Sequence, residues 1–210
     1  MPELRERDCD ISIIIPVYNL EEYIAPMLLS LIEQDYGEYT HEIIFVLNNC
    51  TDDSEAMIHA SGLDCTIVNC EIQGCGPARN AGLDIATGTY VWMMDGDDWL
   101  MSDTAVRDVL SKAYDMDVNV LWIPYASDNY KYYYFSMVWQ YLIKRSFIGE
   151  QRFPDYQPAE DDAFSAELLR RAGYIPGVPM MIPHMDKPLY FYNYMREGSN
   201  MYRVYHGEKI

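Results

Sequence analysis

The chain has 210 residues, half of them hydrophobic, and a formal net charge of −18. That length and apolar content suit one domain with a real core, and no apolar run approaches the roughly 20 residues that span a bilayer. The acidity repels nucleic acid and anionic membrane surfaces at long range, so an anionic small ligand would need local neutralisation by a metal or an arginine.

The first ten residues, MPELRERDCD, are charged and lack the apolar stretch of a signal peptide, so a soluble cytoplasmic protein is expected. Five cysteines (Cys9, Cys50, Cys65, Cys70 and Cys75) form no C-x-x-C pair. Buried free thiols are expected, not a zinc site or a disulfide framework.

The first half alternates regularly. ISIIIPV (11–17) reads as a strand, and LEEYIAPMLLSLIEQ (20–34) has helical spacing. EIIFVL (42–47) is strand-like, and DDSEAMIHASG (52–62) suits a helix capped by Asp52 or Asp53. CTIVN (65–69) is a short strand, GPARNAGLDIATG (76–88) a glycine-bounded helix and TYVWMM (89–94) a strand. This alternation predicts an α/β fold with a mostly parallel, Rossmann-like sheet flanked by helices. Further on, 104–115 is predicted helical, 118–125 a strand, and 159–174 an amphipathic helix with acids at its start. The segment 128–148 is dense in aromatics, and the tail after Pro183 mixes aromatic and basic residues. The tail either wraps back over the crevice or mediates self-association as a homo-oligomer.

Parallel sheets bind ligands beyond the carboxyl ends of their strands. This places Pro16–Asn19, Asn48 and Asn49, and the cluster Asp95, Asp97 and Asp98 along one edge. Carboxylates so close repel one another, and a cation is the simplest relief. A solvated turn would explain the same residues, since Asp and Gly favour turns.

Five segments, taken in order, resemble the inverting nucleotide-sugar glycosyltransferases of family 2, which have a GT-A fold. They are SIIIPVYN (12–19), EIIFVLNNCTDDS (42–54), GPARNAGLDIATGTYVWMMDGDDWL (76–100), AEDDAFSAELL (159–169) and PLYFYNYMREGS (188–199). A lone D-x-D is weak evidence; the third segment and the ordered set carry the resemblance. It implies a single GT-A domain over 1–210, with a donor half at 10–100. An acceptor and catalytic-base half with an aromatic-rich C-terminal region follows at 101–210.

The resemblance also implies roles. Asp95 would reach the ribose, and Asp97, with Asp95, would hold Mn²⁺ or Mg²⁺, for which oxygen ligands are suited. His184 would return to that metal. Pro16, Tyr18, Asn19, Arg79 and Asn80 would contact the donor, and Arg196, with Ser199, would close over its diphosphate. Asn48 and Asn49 stand where the family usually has two aspartates, one of which commonly contacts uracil. An amide both donates and accepts where a carboxylate only accepts, which leaves room for a base contact but weakens the inference to uridine. A UDP-sugar is the first expectation, with a GDP-sugar open beside it. Asp161, supported by Glu160 and rivalled by Asp162, would be the catalytic base.

Tyr130, Tyr132, Tyr133, Tyr134, Trp139 and Tyr141, with Lys144 and Arg145, would either wall an acceptor site or pack a core. The acceptor would be a glycan, a lipid-linked sugar or a small molecule. The resemblance therefore implies metal-dependent inverting glycosyl transfer. Two alternatives stand beside it: a weakly active sugar-nucleotide-binding or assembly module on the same fold, and a nucleotidyltransferase, against which the acid-led helix at 159–169 speaks.

Overall fold

The computed structural model describes residues 9–127, 137–154, 160–175 and 182–193. Its main sheet is six-stranded. Strand β1 (Ile11–Val17) is buried at every position, as a strand covered on both faces must be. It pairs in parallel with β2 (His41–Leu47) on one side and β4 (Tyr90–Met93) on the other. Strand β3 (Thr66–Asn69) extends the sheet beyond β2, also in parallel. Beyond β4 the direction reverses: β8 (Tyr141–Lys144) is antiparallel to both β4 and β6 (Val120–Trp122). The order is β3-β2-β1-β4-β8-β6, so the expected mostly parallel sheet is present with one reversed strand.

Helices cover both faces. Ile13, Ile15, Phe45 and Trp92 pack on one side with residues of α1 (Ala25–Ile32) and α4 (Ala105–Met116). Ile14, Val46, Val91 and Met93 pack on the other with α3 (Cys75–Ile85) and α6 (Glu160–Arg171). Gly82 of α3 lies so close to β1 that a Cβ there would collide with Ile14. Two short helices, α2 (Ser54–Ala60) and α5 (Arg145–Ile148), are the remaining α-helices among the described residues.

Two expectations shift. The helix expected over 20–34 begins only at Ala25, because the Leu20 amide donates to Ser54 Oγ at 2.7 Å and the Glu21 amide to Asp52 at 2.9 Å. Pro26 then sits in the first helical turn, where its missing N–H costs nothing. The strand expected over 118–125 divides at Pro124. Its first part is β6; its second part, β7 (Tyr125–Ser127), joins a separate sheet ordered β5-β9-β7, with β5 at Trp99–Leu100 and β9 at Tyr190–Tyr192. No helix among the described residues is long and apolar enough to cross a membrane.

Candidate active site

Because β1, β2 and β4 run in parallel and in register, their carboxyl ends share one edge, as expected. Asp95 follows β4 there and is partly exposed. Gly96 does not need a left-handed backbone. It is required by space, since a Cβ would stand 2.7 Å from Leu20 Cδ1 and 3.3 Å from the Pro16 carbonyl oxygen.

Arg79, on the first turns of α3, is 3% exposed and faces three carboxylates. Its Nη2 donates to Asp95 Oδ1 at 2.7 Å, and its Nη1 donates to Asp161 Oδ1 and to Glu160 Oε1, the latter at 3.4 Å. The guanidinium also lies 5.4 Å from the ring centre of Phe153, which stacks on Phe164 of α6. Arg79 therefore joins the end of β4 to the start of α6. One cation among three acids leaves surplus negative charge. Burial pushes Asp161 up to about 7, against the opposing pull of Arg79 and a main-chain hydrogen bond from Val138. Asp162, the rival base, is solvent-exposed on the next position of α6.

Asp98 is fully buried and its oxygens are taken. Tyr190 Oη donates to Oδ2 at 2.6 Å and the Asn193 amide to Oδ1 at 2.8 Å, while burial raises its pKa well above the usual carboxylate range. Neither Tyr190 nor Asn193 stood out in the sequence. Both lie in the quoted PLYFYNYMREGS segment, but nothing local marks which of its polar groups turns inward.

The amides around the crevice are already engaged. Asn48 donates through Nδ2 to the carbonyls of Cys70 and Ile72 and accepts at Oδ1 from Gln73 Nε2 and the Gly74 amide. With both donor hydrogens and both acceptor positions used, Asn48 pins the 70–74 loop and has nothing left to read a base. Asn49, exposed and at φ 60°, donates to Glu71 O and Gln73 Oε1. Asn19 accepts from the Thr51 amide at 2.8 Å. Asn80 exchanges two hydrogen bonds with the Phe153 main chain, so its amide fixes that loop. Pro16 is buried inside β1, whereas Tyr18 is 52% exposed at the rim.

His184 bridges to Trp122 as an isolated strand pair, its Nδ1 is 3.0 Å from Ile182 O, and its ring stands edge-on to Trp122. Among the described residues no three His, Cys, Asp or Glu side chains are gathered to hold a metal, so His184 does not join Asp95 and Asp97 in such a group. A cation bound together with a diphosphate needs less, since Mg²⁺-type sites often use one or two carboxylates plus phosphate oxygens and water. Asp95 and Asp97, adjacent on one partly exposed turn, fit that smaller donor set.

Of the aromatic residues, Trp139 and Tyr141 belong to the core. Trp139 is 1% exposed and stacks between Tyr190 and Tyr192, each at 4.8 Å, and Tyr141 is 2% exposed within the core. Lys144 pairs in register with Tyr90, the first residue of β4, so it and Arg145 sit at the sheet edge opposite the acids. There they bond to Asp117 and to the Gly88 carbonyl. Tyr130, Tyr132, Tyr133, Tyr134, Arg196 and Ser199 lie outside the described residues. The five cysteines are free: Cys9 and Cys70 are buried and the others partly so.

The fold is that of the GT-A-type glycosyltransferases. The model of glycosyl transferase family 2 matches residues 12–174, and the chain belongs to that family. It is 39% identical over 99 residues to the glycosyltransferase GlyA of Streptococcus pneumoniae, an alignment covering 46% of this chain and 14% of GlyA. It superposes on S. aureus TarS 1–349 in complex with UDP-GlcNAc with a TM-score of 0.80 at 23% identity, covering 92% of this chain and 60% of that one. It also superposes on the mannosyltransferase PcManGT of Pyrobaculum calidifontis, in complex with GDP-Man and Mn²⁺, with a TM-score of 0.71 at 18% identity. Coverage there is 98% of this chain and 63% of PcManGT, so the chain spans only part of each of these relatives.

Proposed function

We propose that the chain is a metal-dependent inverting glycosyltransferase that moves a sugar from a nucleoside-diphosphate sugar to an acceptor hydroxyl. The observation that carries this is the Arg79 bridge, which brings the acid opening α6 to the acid turn ending β4. Family membership and the sugar nucleotides held by TarS and PcManGT support the same reading.

The donor lies over the carboxyl ends of β1, β2 and β4, with its base beside Tyr18 and its diphosphate at the acid turn. Asp97 and Asp95 would hold Mn²⁺ or Mg²⁺, and the cation would supply charge neutralisation for the diphosphate leaving group. Asp161 accepts the acceptor's hydroxyl proton as that oxygen attacks the anomeric carbon. The carbon–oxygen bond to the diphosphate breaks, and its electron pair leaves with the diphosphate. Direct displacement inverts the anomeric centre and needs no covalent enzyme intermediate. A base with a pKa near 7 is well matched to neutral pH. Residues 10–100 thus form the donor half and 101–210 the half that supplies the base.

The test is a panel of UDP- and GDP-sugars with Mn²⁺, read as calorimetric binding and donor hydrolysis or transfer. Mn²⁺-dependent binding and release of nucleoside diphosphate are expected. No binding of any sugar nucleotide would overturn the proposal.

A further inference from the structure

Asp95, Asp97 and Asp98 are adjacent in sequence but are held differently, and all three meet the segment 190–193. Tyr190 Oη accepts from the Asp95 amide at 3.0 Å while donating to the Asp98 carboxylate at 2.6 Å. The Asn193 amide donates to the other Asp98 oxygen at 2.8 Å, and Asn193 Nδ2 donates to the Asp97 carbonyl at 3.2 Å. Tyr190 is itself fully buried, stacked 4.8 Å from Trp139, and β9 pairs with β5 just past the acids, where Phe191 stacks on Trp99 at 4.2 Å. On its other side the turn is closed by Leu20 and Pro16 against Gly96.

A mobile turn would let three carboxylates compete for one cation and spread apart by repulsion. Here Asp98 is withdrawn, with both oxygens bonded to a segment more than 90 residues away in sequence. The main-chain groups of Asp95 and Asp97 are fixed by the same two residues. We propose that Tyr190 and Asn193 are positioning residues that use Asp98 as an anchor and so hold the Asp95–Asp97 turn in place for the donor's diphosphate and its cation. This rests on the reading of the acid turn as the donor's diphosphate site. Outer partners of this kind orient the groups that touch a metal, and their loss lowers metal affinity without removing a ligand.

The test titrates Mn²⁺ with UDP by calorimetry into the wild-type chain, Tyr190→Phe and Asn193→Ala, and records melting temperatures alongside. Tyr190→Phe keeps the ring on Trp139 and removes only the hydroxyl; Asn193→Ala removes one surface-side amide and leaves the main-chain donor, so it folds even if the first variant does not. Ile123→Ala, in the same core, provides a loss of stability for comparison. Mn²⁺–UDP affinity should fall about 10- to 100-fold in Asn193→Ala and in folded Tyr190→Phe, and stay at the wild-type level in Ile123→Ala. Wild-type affinity in Asn193→Ala, or an equal loss in Ile123→Ala, would overturn the proposal. The same titration is run with GDP, and a wild-type chain that binds Mn²⁺ with neither UDP nor GDP would overturn the donor reading itself, and this inference with it.

Discussion

Arg79 and Asp95, 16 residues apart, are joined at 2.7 Å by one arm of a guanidinium whose other arm holds Asp161, 82 residues away. The acid turn and the candidate base are thus two ends of one buried ion cluster. A change in either carboxylate is felt by the other through a single side chain that is 3% exposed.

Arg79→Ala should be severely destabilising. It strands Glu160 and Asp161 without their cation, and breaking a buried ion pair on one side costs about 3–5 kcal/mol. Arg79→Lys keeps the charge but not the fork, so it should fold and lose transfer, because one ammonium does not reproduce the two-armed geometry. Chemical denaturation and steady-state kinetics separate the two outcomes.

Asp161→Asn should retain sugar-nucleotide binding and lose turnover by roughly 10²- to 10⁴-fold, the usual worth of a general base. Unchanged turnover would move the role to another residue. Calorimetry on the same preparation reports whether binding survives.

The rate should rise with pH through about 7, because burial holds Asp161 protonated below that value and only the carboxylate accepts a proton. Stability should move the other way. The folded pKa lies above the ordinary 3.8, so the folded chain binds the extra proton, and this contribution is lost as pH rises from about 4 to about 7. A pH–rate profile of wild type, flat in this range for Asp161→Asn, checks the first. Thermal melts across the same range, compared between the two proteins, check the second.

Removing divalent metal with a chelator should abolish transfer, and Mn²⁺ or Mg²⁺ should restore it. Asp97→Ala should resist that restoration, and His184→Ala should behave as wild type, since His184 is engaged with Ile182 and Trp122. Metal-dependent activity at wild-type level in Asp97→Ala would refute this assignment.

Asn48→Asp should destabilise the chain by about 1–3 kcal/mol, because it places an oxygen where an N–H₂ group now donates to the Cys70 and Ile72 carbonyls. A uracil-reading role for this position predicts the opposite, a gain in UDP affinity at little cost. Denaturation midpoints and UDP titration distinguish the two.

Much of the fold was legible because it rests on local patterns. The apolar runs at β1, β2 and β4, the glycine-bounded α3 and the acid-led α6 each declare their type through periodicity and composition. Parallel pairing then brings the strand ends, and the polar residues after them, to one edge.

What the sequence could not supply was the state of each polar group once the chain had closed. Asn48 and Asn80 look as available in the sequence as Tyr18, but the tertiary structure commits their amides to loops at 70–74 and 153. Asp98 looks equivalent to Asp97 until Tyr190 and Asn193 arrive from the far end of the chain and take its oxygens. Trp139 and Tyr141 look like a wall until packing buries them. Element type depends on neighbours along the chain, whereas hydrogen-bond saturation and burial depend on partners many residues away, which only the folded packing brings within reach.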